Sequence, residues 1–312
     1  MSHPSSLTID YAVLLKKYPW IIDPGQNCIL SPDVDGLLCG LFMSQYLNWQ
    51  IKGFYDGKSL LIVPGISARK CIFLDMEILR EGVRSVGHHM NIHMLNTPPI
   101  DYHKKMSDCI NPNYIRGFDR QRSTLARKYP LGAIHFLMYI LENYSPGKIS
   151  VRTQGLAPIF FADGVWKILF KYTGNVLDWF DYLHHGAEAD WWVKLKNISV
   201  IDLIQEIDSF IAKLKSINPT YYGHIDLFKF NGGVLTETLS LISDLTGWEL
   251  KSENWNLENL KQHKFTKEIY GQNRGSRGNM KFLEIWNKQP LSLAMTEGAV
   301  IQYTLETPDR LS

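Results

Sequence analysis

Acidic and imidazole side chains follow four short apolar runs along this chain. In order they are Asp33 with Asp35, then Asp75, then His88 with His89, and finally Asp163. The carboxyl ends of parallel strands meet at one edge of a sheet, where ligands bind. If the runs are neighbouring parallel strands, four carboxylates and two imidazoles collect at that edge. Carboxylate oxygen and imidazole nitrogen together suit manganese, zinc or iron, whereas carboxylates alone suit magnesium.

Such a concentration of negative charge repels itself unless a metal ion or protonation neutralises it. Clustered metal ions generate hydroxide from water and hold phosphoryl oxygens during an in-line displacement. The residue types therefore point to metal-dependent hydrolysis at a phosphate group.

The elements that would position these side chains alternate between short apolar runs and helical segments. Residues 37–49 have helical length and apolar spacing, and Asp56-Gly57 between residues 51–55 and 60–63 predicts a hairpin. Residues 28–30, 71–74, 83–86 and 159–162 are the short apolar runs that end at the polar side chains. This alternation predicts an α/β fold, with a mainly parallel sheet covered by helices on both faces.

The second half of the chain is predicted to be largely helical before it ends in strands. Residues 96–113 are expected to be irregular, and residues 123–144 helical, with Pro130 near the true start. Helices are predicted at residues 200–214, after an N-cap at Ser199, and at 233–248, stopping at Gly247. Residues 280–286 and 299–305 are predicted as strands. We expect a metal-binding domain over residues 1–200 and a smaller C-terminal α/β domain over 201–312, for substrate binding or capping.

Four motifs in this order resemble those of the DHH phosphoesterase superfamily. They are SPDVDG before a helix, FLDME and VGHHMN after strands, and FFADG further on. The resemblance covers roughly residues 20–190, and the order of the motifs is more specific than any one of them. The family includes single-strand exonucleases, pyrophosphatases and hydrolases of short or cyclic oligonucleotides, usually dependent on manganese.

The resemblance implies roles for the six residues. Asp35, Asp75 and Asp163 would hold one metal ion, and Asp33 would contribute to a second. His88 or His89 would contact metal or the scissile phosphate, with Mn²⁺ (or Mg²⁺) as the cofactor.

Two departures from the family pattern weaken the second metal site. The acidic residue of the Asp-His-His triplet is Gly87 here, and the positions for an upstream ligand hold Ile29 and Ser31. We therefore expect about one tightly held ion per chain.

The expected function is hydrolysis of a phosphodiester or phosphoanhydride in a nucleotide or short nucleic acid. Arg274 and Arg277, in a glycine-rich stretch, are candidates for binding its phosphate, although a solvated loop explains them equally well. One alternative is a binding or scaffold protein whose hydrolytic site has decayed. Another is a haloacid-dehalogenase-like phosphatase with Asp33 as nucleophile, although such enzymes usually have Thr where this chain has Leu37.

Composition is compatible with these hypotheses without choosing among them. The chain has 312 residues, is 45% hydrophobic and 21% charged, and carries a formal net charge of +2. These values are ordinary for a globular protein, and a local basic patch can still bind nucleic acid. The polar N-terminus and the lack of a long apolar stretch predict a cytoplasmic protein with no membrane partner.

Overall fold

The computed structural model describes residues 8–92, 97–118, 126–184, 189–220, 223–271, 278–297, 300–306 and 311. The chain divides into two compact units, each assembled from several segments. Unit 1 comprises Met1–Gly25, Pro32–Trp49 and Pro130–Trp255, and unit 2 comprises Gln26–Ser31, Gln50–Tyr129 and Asn256–Ser312. Both units take residues from either side of position 200. The boundary expected there stays a prediction.

Unit 2 contains a seven-stranded sheet. Its strands are β1 (Asn27–Leu30), β2 (Gln50–Tyr55), β3 (Ser59–Ile62), β4 (Ile72–Leu74), β5 (Ser85–Val86), β6 (Cys109–Ile110) and β7 (Lys261–Lys264). Their spatial order is β6-β5-β4-β1-β2-β3-β7. Strands β1, β2, β4, β5 and β6 pair in parallel, whereas β3 is antiparallel to both β2 and β7. The predicted α/β class with a mainly parallel sheet is confirmed.

The strands form where apolar residues can be buried between polar turns. Every residue of β4 is buried, as are the last three of β1. The hairpin predicted at Asp56-Gly57 joins β2 to β3, with Gly57 at φ +83° and Asp56 Oδ1 accepting from the Lys58 and Ser59 amides. Leu30 pairs with Leu74, and Leu74 with Val86, so β1, β4 and β5 end at one edge of the sheet.

A smaller antiparallel sheet lies near the C-terminus, in the order β8-β10-β9. Its strands are β8 (Thr266–Gly271), β9 (Ser292–Glu297) and β10 (Val300–Leu305). Strand β10 confirms the strand predicted at residues 299–305. The strand predicted at residues 280–286 is wrong, because this stretch belongs to a helix, Gly278–Asn287. Phe282, Ile285 and Trp286, spaced three and one residues apart, are buried together on one face of that helix.

Unit 1 is built mainly from helices. Numbered in chain order, the helices of the described residues that it contains are α1 (Tyr11–Lys17), α2 (Val34–Leu47), α5 (Ala133–Tyr144), α6 (Leu156–Phe161), α7 (Val165–Lys171), α8 (Thr173–Leu183), α9 (Asp190–Asn197), α10 (Val200–Ile217) and α11 (Gly232–Thr246). Unit 2 contributes α3 (Tyr102–Lys105), α4 (Pro112–Arg116) and α12 (Gly278–Asn287). Short elements α3, β6 and α4 therefore occupy much of the stretch that was predicted to be irregular. No helix in the described ranges is both long and apolar enough to cross a membrane.

The caps of two helices follow the sequence closely. Ser199 accepts a hydrogen bond from the Asp202 amide and starts α10, and Gly247 ends α11 in the left-handed conformation. The apolar run at residues 159–162, in contrast, does not form a strand, because Ile159 and Phe160 lie inside α6 and are fully buried there. A short buried run has no periodicity that separates a strand from a helix.

Candidate metal centre

Asp75 is the first residue after β4, and its backbone lies in the left-handed region at φ +65°. Its Oδ2 accepts a hydrogen bond from Ser31 Oγ at 2.7 Å, and its Oδ1 lies 3.2 Å from His88 Nε2. Ser31 follows β1 and His88 follows β5, the two strands on either side of β4. Three side chains from neighbouring strand ends therefore meet at one edge of the sheet.

Asp35 is held in place by the N-terminus of α5. Its Oδ2 accepts a hydrogen bond from the Ala133 amide at 2.6 Å, and its Oδ1 accepts one from the Ile134 amide at 2.9 Å. A helix N-terminus favours an anion because its amides are unpaired within the helix and its dipole is positive there. Gly132 allows the approach, because a Cβ at that position would lie 2.6 Å from Asp35 Oδ2. The sequence and the packing thus fix the orientation of a fully buried carboxylate.

Asp163 lies between α6 and α7, in a kink where its own φ is +52° and that of Gly164 is +66°. Its element was expected to be a strand, and the aspartate instead follows a helix. The residue is exposed, unlike Asp35 and Asp75. Asp tolerates the left-handed region better than most residues, so the kink suits this sequence.

Four of the predicted site residues come together. One ligand atom from each of Asp35, Asp75, His88 and Asp163 lies within 4.8 Å of the other three. Two donor atoms bonded at about 2.2 Å to opposite sides of one ion would be roughly 4.4 Å apart. Small side-chain movements therefore bring the group to coordination distance. Three carboxylates and one imidazole fit a divalent metal ion that accepts both oxygen and nitrogen, so this group could hold one.

Asp33 is not a member of this group. Its side chain accepts a hydrogen bond from the Gly36 amide at 3.0 Å, and the residue is the N-cap of α2. Its predicted roles as a metal ligand and catalytic group stay predictions. The observed capping contact accounts for an aspartate at this position without a metal ion.

His89 has a different partner from His88, although their rings lie 4.4 Å apart. Its Nδ1 lies 3.2 Å from Glu77 Oε2, and its backbone amide donates to Glu77 Oε1 at 2.8 Å. Asn111 Nδ2 donates to the same Oε1 at 2.7 Å. Glu77 is almost completely buried, and the sequence reasoning missed it. The sequence signal was weak, since Glu77 is only the second acidic residue of the FLDME motif.

Two buried asparagines hold the backbone of the histidine pair. Asn111 Nδ2 donates to the His89 carbonyl at 2.8 Å, and Asn113 Nδ2 donates to the His88 carbonyl at 2.7 Å. Both asparagines follow β6, which is adjacent to β5 in the sheet. The rule that located Asp75 would have located Asn111, which directly follows β6, had this two-residue strand been recognised, whereas Asn113 lies within α4.

Cys28, Cys71 and Cys109 offer no thiolate to this centre near neutral pH. Burial raises the pKa of Cys71 to about 12, although Arg84 and Lys52 act in the opposite direction. Burial also raises the pKa of Cys28 and Cys109 well above the ordinary value, and the charge of Glu77 adds to this effect at Cys109. Protonated thiols are poor metal ligands.

The two departures from the family pattern have different structural settings. Ile29 is fully buried in β1 and has no donor atom to offer, whereas Ser31 already donates to Asp75. Gly87 is packed against the carboxylate of Glu77. Arg274 and Arg277, the predicted phosphate-binding residues, lie outside the described residues.

Comparison with models of known protein families, with curated proteins and with solved structures finds no match for this chain. The likeness to DHH phosphoesterases therefore rests on the four sequence motifs.

Proposed function

We propose that this chain is a metal-dependent phosphoesterase centred on Asp35, Asp75, His88 and Asp163. The observation that carries the proposal is the convergence of three carboxylates and one imidazole within 4.8 Å. When bound there, a divalent ion supplies neutralising charge and Lewis-acid polarisation of phosphoryl oxygens. The mixed donor set is compatible with manganese, zinc or iron, and the motif resemblance supports Mn²⁺ (or Mg²⁺) as the cofactor.

The strained backbone of two members of the group supports a functional role for these residues. Asp75 and Asp163 both have positive φ, at +65° and +52°. Aspartate adopts this region more readily than most residues, yet it still costs about 1 kcal/mol there, and such strain concentrates at functional sites. A purely structural turn would be more stable with glycine or asparagine at these positions.

The chain's own residues prepare the centre before any ligand arrives. Amides of α5 orient Asp35, and Ser31 restrains one oxygen of Asp75. Asp163, unlike Asp35 and Asp75, is exposed. A phosphate group can therefore approach residues whose positions are already fixed, which lowers the entropic cost of reaching a reactive geometry.

The proposed substrate is a phosphodiester or phosphoanhydride in a nucleotide or short nucleic acid. The motif resemblance supports this choice, and the resulting expectation is that Arg274 and Arg277 pair with phosphate. The side chain of His89 is 29% exposed and lies beside the ring of His88, which supports a role for His89 in contacting such a substrate.

A binding or scaffold protein with a decayed site is the second candidate, and buried Ile29 favours it. With Ile29 and Gly87 offering no donor atoms, the chain retains the ligands for one ion. The haloacid-dehalogenase-like alternative is less well supported, because its nucleophile would be Asp33, which caps α2, and it gives no role to His88.

Calorimetric titration with Mn²⁺ and hydrolysis of bis(p-nitrophenyl) phosphate test the proposal. We expect about one tightly bound ion per chain, with slow hydrolysis or hydrolysis that needs high manganese. Asp75→Asn keeps the size of the side chain and tolerates the left-handed backbone, yet it removes the charge. It should abolish both binding and hydrolysis.

Asp208→Asn is the matched control, because Asp208 is exposed on α10. It should bind and hydrolyse like the wild type. Two tight sites would show that other side chains replace the missing donors. Tight binding without hydrolysis, or no binding by any variant, would favour the binding or scaffold role.

A further inference from the structure

Glu77 is a buried acid next to the proposed metal centre, and its position explains the glycine that interrupts the histidine triplet. It lies two residues beyond Asp75 and is 2% exposed. A Cβ built on Gly87 would lie 2.2 Å from Glu77 Oε1 and 2.4 Å from its Cδ. No side chain of any size fits at position 87 while Glu77 occupies this space.

The backbone of Gly87 does not itself require glycine. The φ angle of Gly87 is not positive. Its amide donates to the Ile110 carbonyl at 3.0 Å. The main constraint on position 87 is therefore the Glu77 carboxylate, and the backbone carbonyl carbon of Met76, 2.8 Å from an added Cβ, is a second one. The acid that the family resemblance predicts at position 87 is missing, and a carboxylate from another segment fills the same place.

The contacts of the Glu77 carboxylate determine which nitrogen of the His89 ring faces it. Glu77 Oε1 accepts from the His89 amide and from Asn111, so the side chain is fixed from two directions. Its Oε2 lies 3.2 Å from His89 Nδ1. Nδ1 is thus the ring nitrogen that faces the Glu77 carboxylate, and Nε2 is the nitrogen that is left for another partner.

We propose that Glu77 is the positioning residue of His89 and replaces the acid missing at position 87. It selects the Nδ1–H tautomer and leaves Nε2 as the nitrogen that accepts a hydrogen bond from substrate or water. A carboxylate that orients an imidazole in this way is a common supporting device at metal centres. The role in hydrolysis rests on the function proposed above, whereas the choice of tautomer does not.

Glu77→Gln tests the tautomer in the full chain. Glutamine preserves shape, and its oxygen can still accept from Asn111 and the His89 amide. Its NH₂ group then faces His89 Nδ1, and two donors cannot bond to each other, so the ring should change to the Nε2–H tautomer. Nitrogen-15 spectra of histidine-labelled protein distinguish the tautomers, and the His89 signal among ten histidines is identified by its loss in His89→Asn.

The kinetic expectation is that Glu77→Gln lowers kcat about 10- to 100-fold, with KM and Mn²⁺ affinity little changed. An unchanged tautomer or an unchanged kcat would overturn the positioning role. If the wild type neither binds Mn²⁺ nor hydrolyses a phosphodiester, the proposed function fails. The spectra would still decide whether Glu77 sets the tautomer.

Moving the carboxylate from position 77 to position 87 provides a second test, because an unfolded protein could not give its positive result. Gly87→Asp alone should unfold or inactivate the protein, because the new side chain collides with Glu77 and adds a second negative charge. In a Glu77→Ala background the collision with the carboxylate is gone and only the Met76 backbone, 2.8 Å from the added Cβ, must still shift, so the same Gly87→Asp change should recover the Nδ1–H tautomer and part of kcat. Gly87→Ala in that background is the control, since it fills space without a carboxylate. Equal recovery by alanine would reduce Glu77 to a space-filling role and overturn the proposal.

Discussion

Gly132→Ala should damage the proposed metal centre without changing any ligand. Gly132 precedes α5 with ordinary extended backbone, at φ −78° and ψ 168°, so alanine brings no backbone strain. Its new Cβ would lie 2.6 Å from Asp35 Oδ2, and ordinary van der Waals contact begins near 3.4 Å. The carboxylate must therefore retreat by about 0.8 Å from the amides that now hold it.

The expected cost follows from the hydrogen bonds at risk. Asp35 accepts from Ala133 and Ile134 at 2.6 and 2.9 Å, and it is fully buried. A hydrogen bond to a charged group contributes about 1.5 to 3 kcal/mol. We expect Gly132→Ala to lower the free energy of unfolding by about 2 to 4 kcal/mol and to weaken Mn²⁺ binding about 10- to 100-fold.

Urea unfolding and calorimetry on a double-mutant cycle measure both effects. In an Asp35→Ala background the clash is gone, so Gly132→Ala should cost no more than about 1 kcal/mol. Gly174→Ala is the control, because Gly174 lies in α8 with no atom within 4 Å of its added Cβ, and it should be neutral or slightly stabilising. An equal cost of Gly132→Ala in both backgrounds would refute the role assigned to this contact.

Two further predictions concern stability. Asn113→Ala leaves the His88 carbonyl and the Tyr129 amide without this side-chain partner, and should lower the free energy of unfolding by about 2 to 4 kcal/mol in urea titrations. Burial raises the pKa of Cys71 from the ordinary 9.0 to about 12, so the folded state holds this proton more tightly than the unfolded chain. That contribution is complete below pH 9 and is lost as pH rises towards 12, and Cys71→Ser should make alkaline unfolding curves shallower.

Much of the centre was predictable because parallel strands impose a simple rule. A polar residue just after a buried strand lies at the carboxyl edge of the sheet, as Asp75 does directly after β4 and His88 does two residues after β5. Ser31 lies at the same edge for the same reason. The hairpin at Asp56-Gly57 and the glycine end of α11 were also predictable, because each depends on a local backbone preference.

The remaining features depend on contacts that no local pattern encodes. Asp163 belongs to the cluster although it follows a helix, because the short apolar run before it is equally compatible with strand and helix. The same ambiguity produced the wrong strand at residues 280–286. Glu77 was missed because its carboxylate occupies the space where a side chain at position 87 would lie, and that residue comes ten positions later in the chain.

The structural uses of these carboxylates do not account for the group as a whole. Capping of α2 explains Asp33, and the amides of α5 explain part of Asp35. Neither explains why Asp75 has its strained backbone and lies with Asp35 inside a 4.8 Å group. Two like charges at that separation repel by roughly 3 to 4 kcal/mol at an effective dielectric constant of about 20. A bound cation would remove this repulsion. A metal centre therefore accounts for the close approach of the carboxylates and for the strained backbone of Asp75 better than a set of separate helix caps and turns.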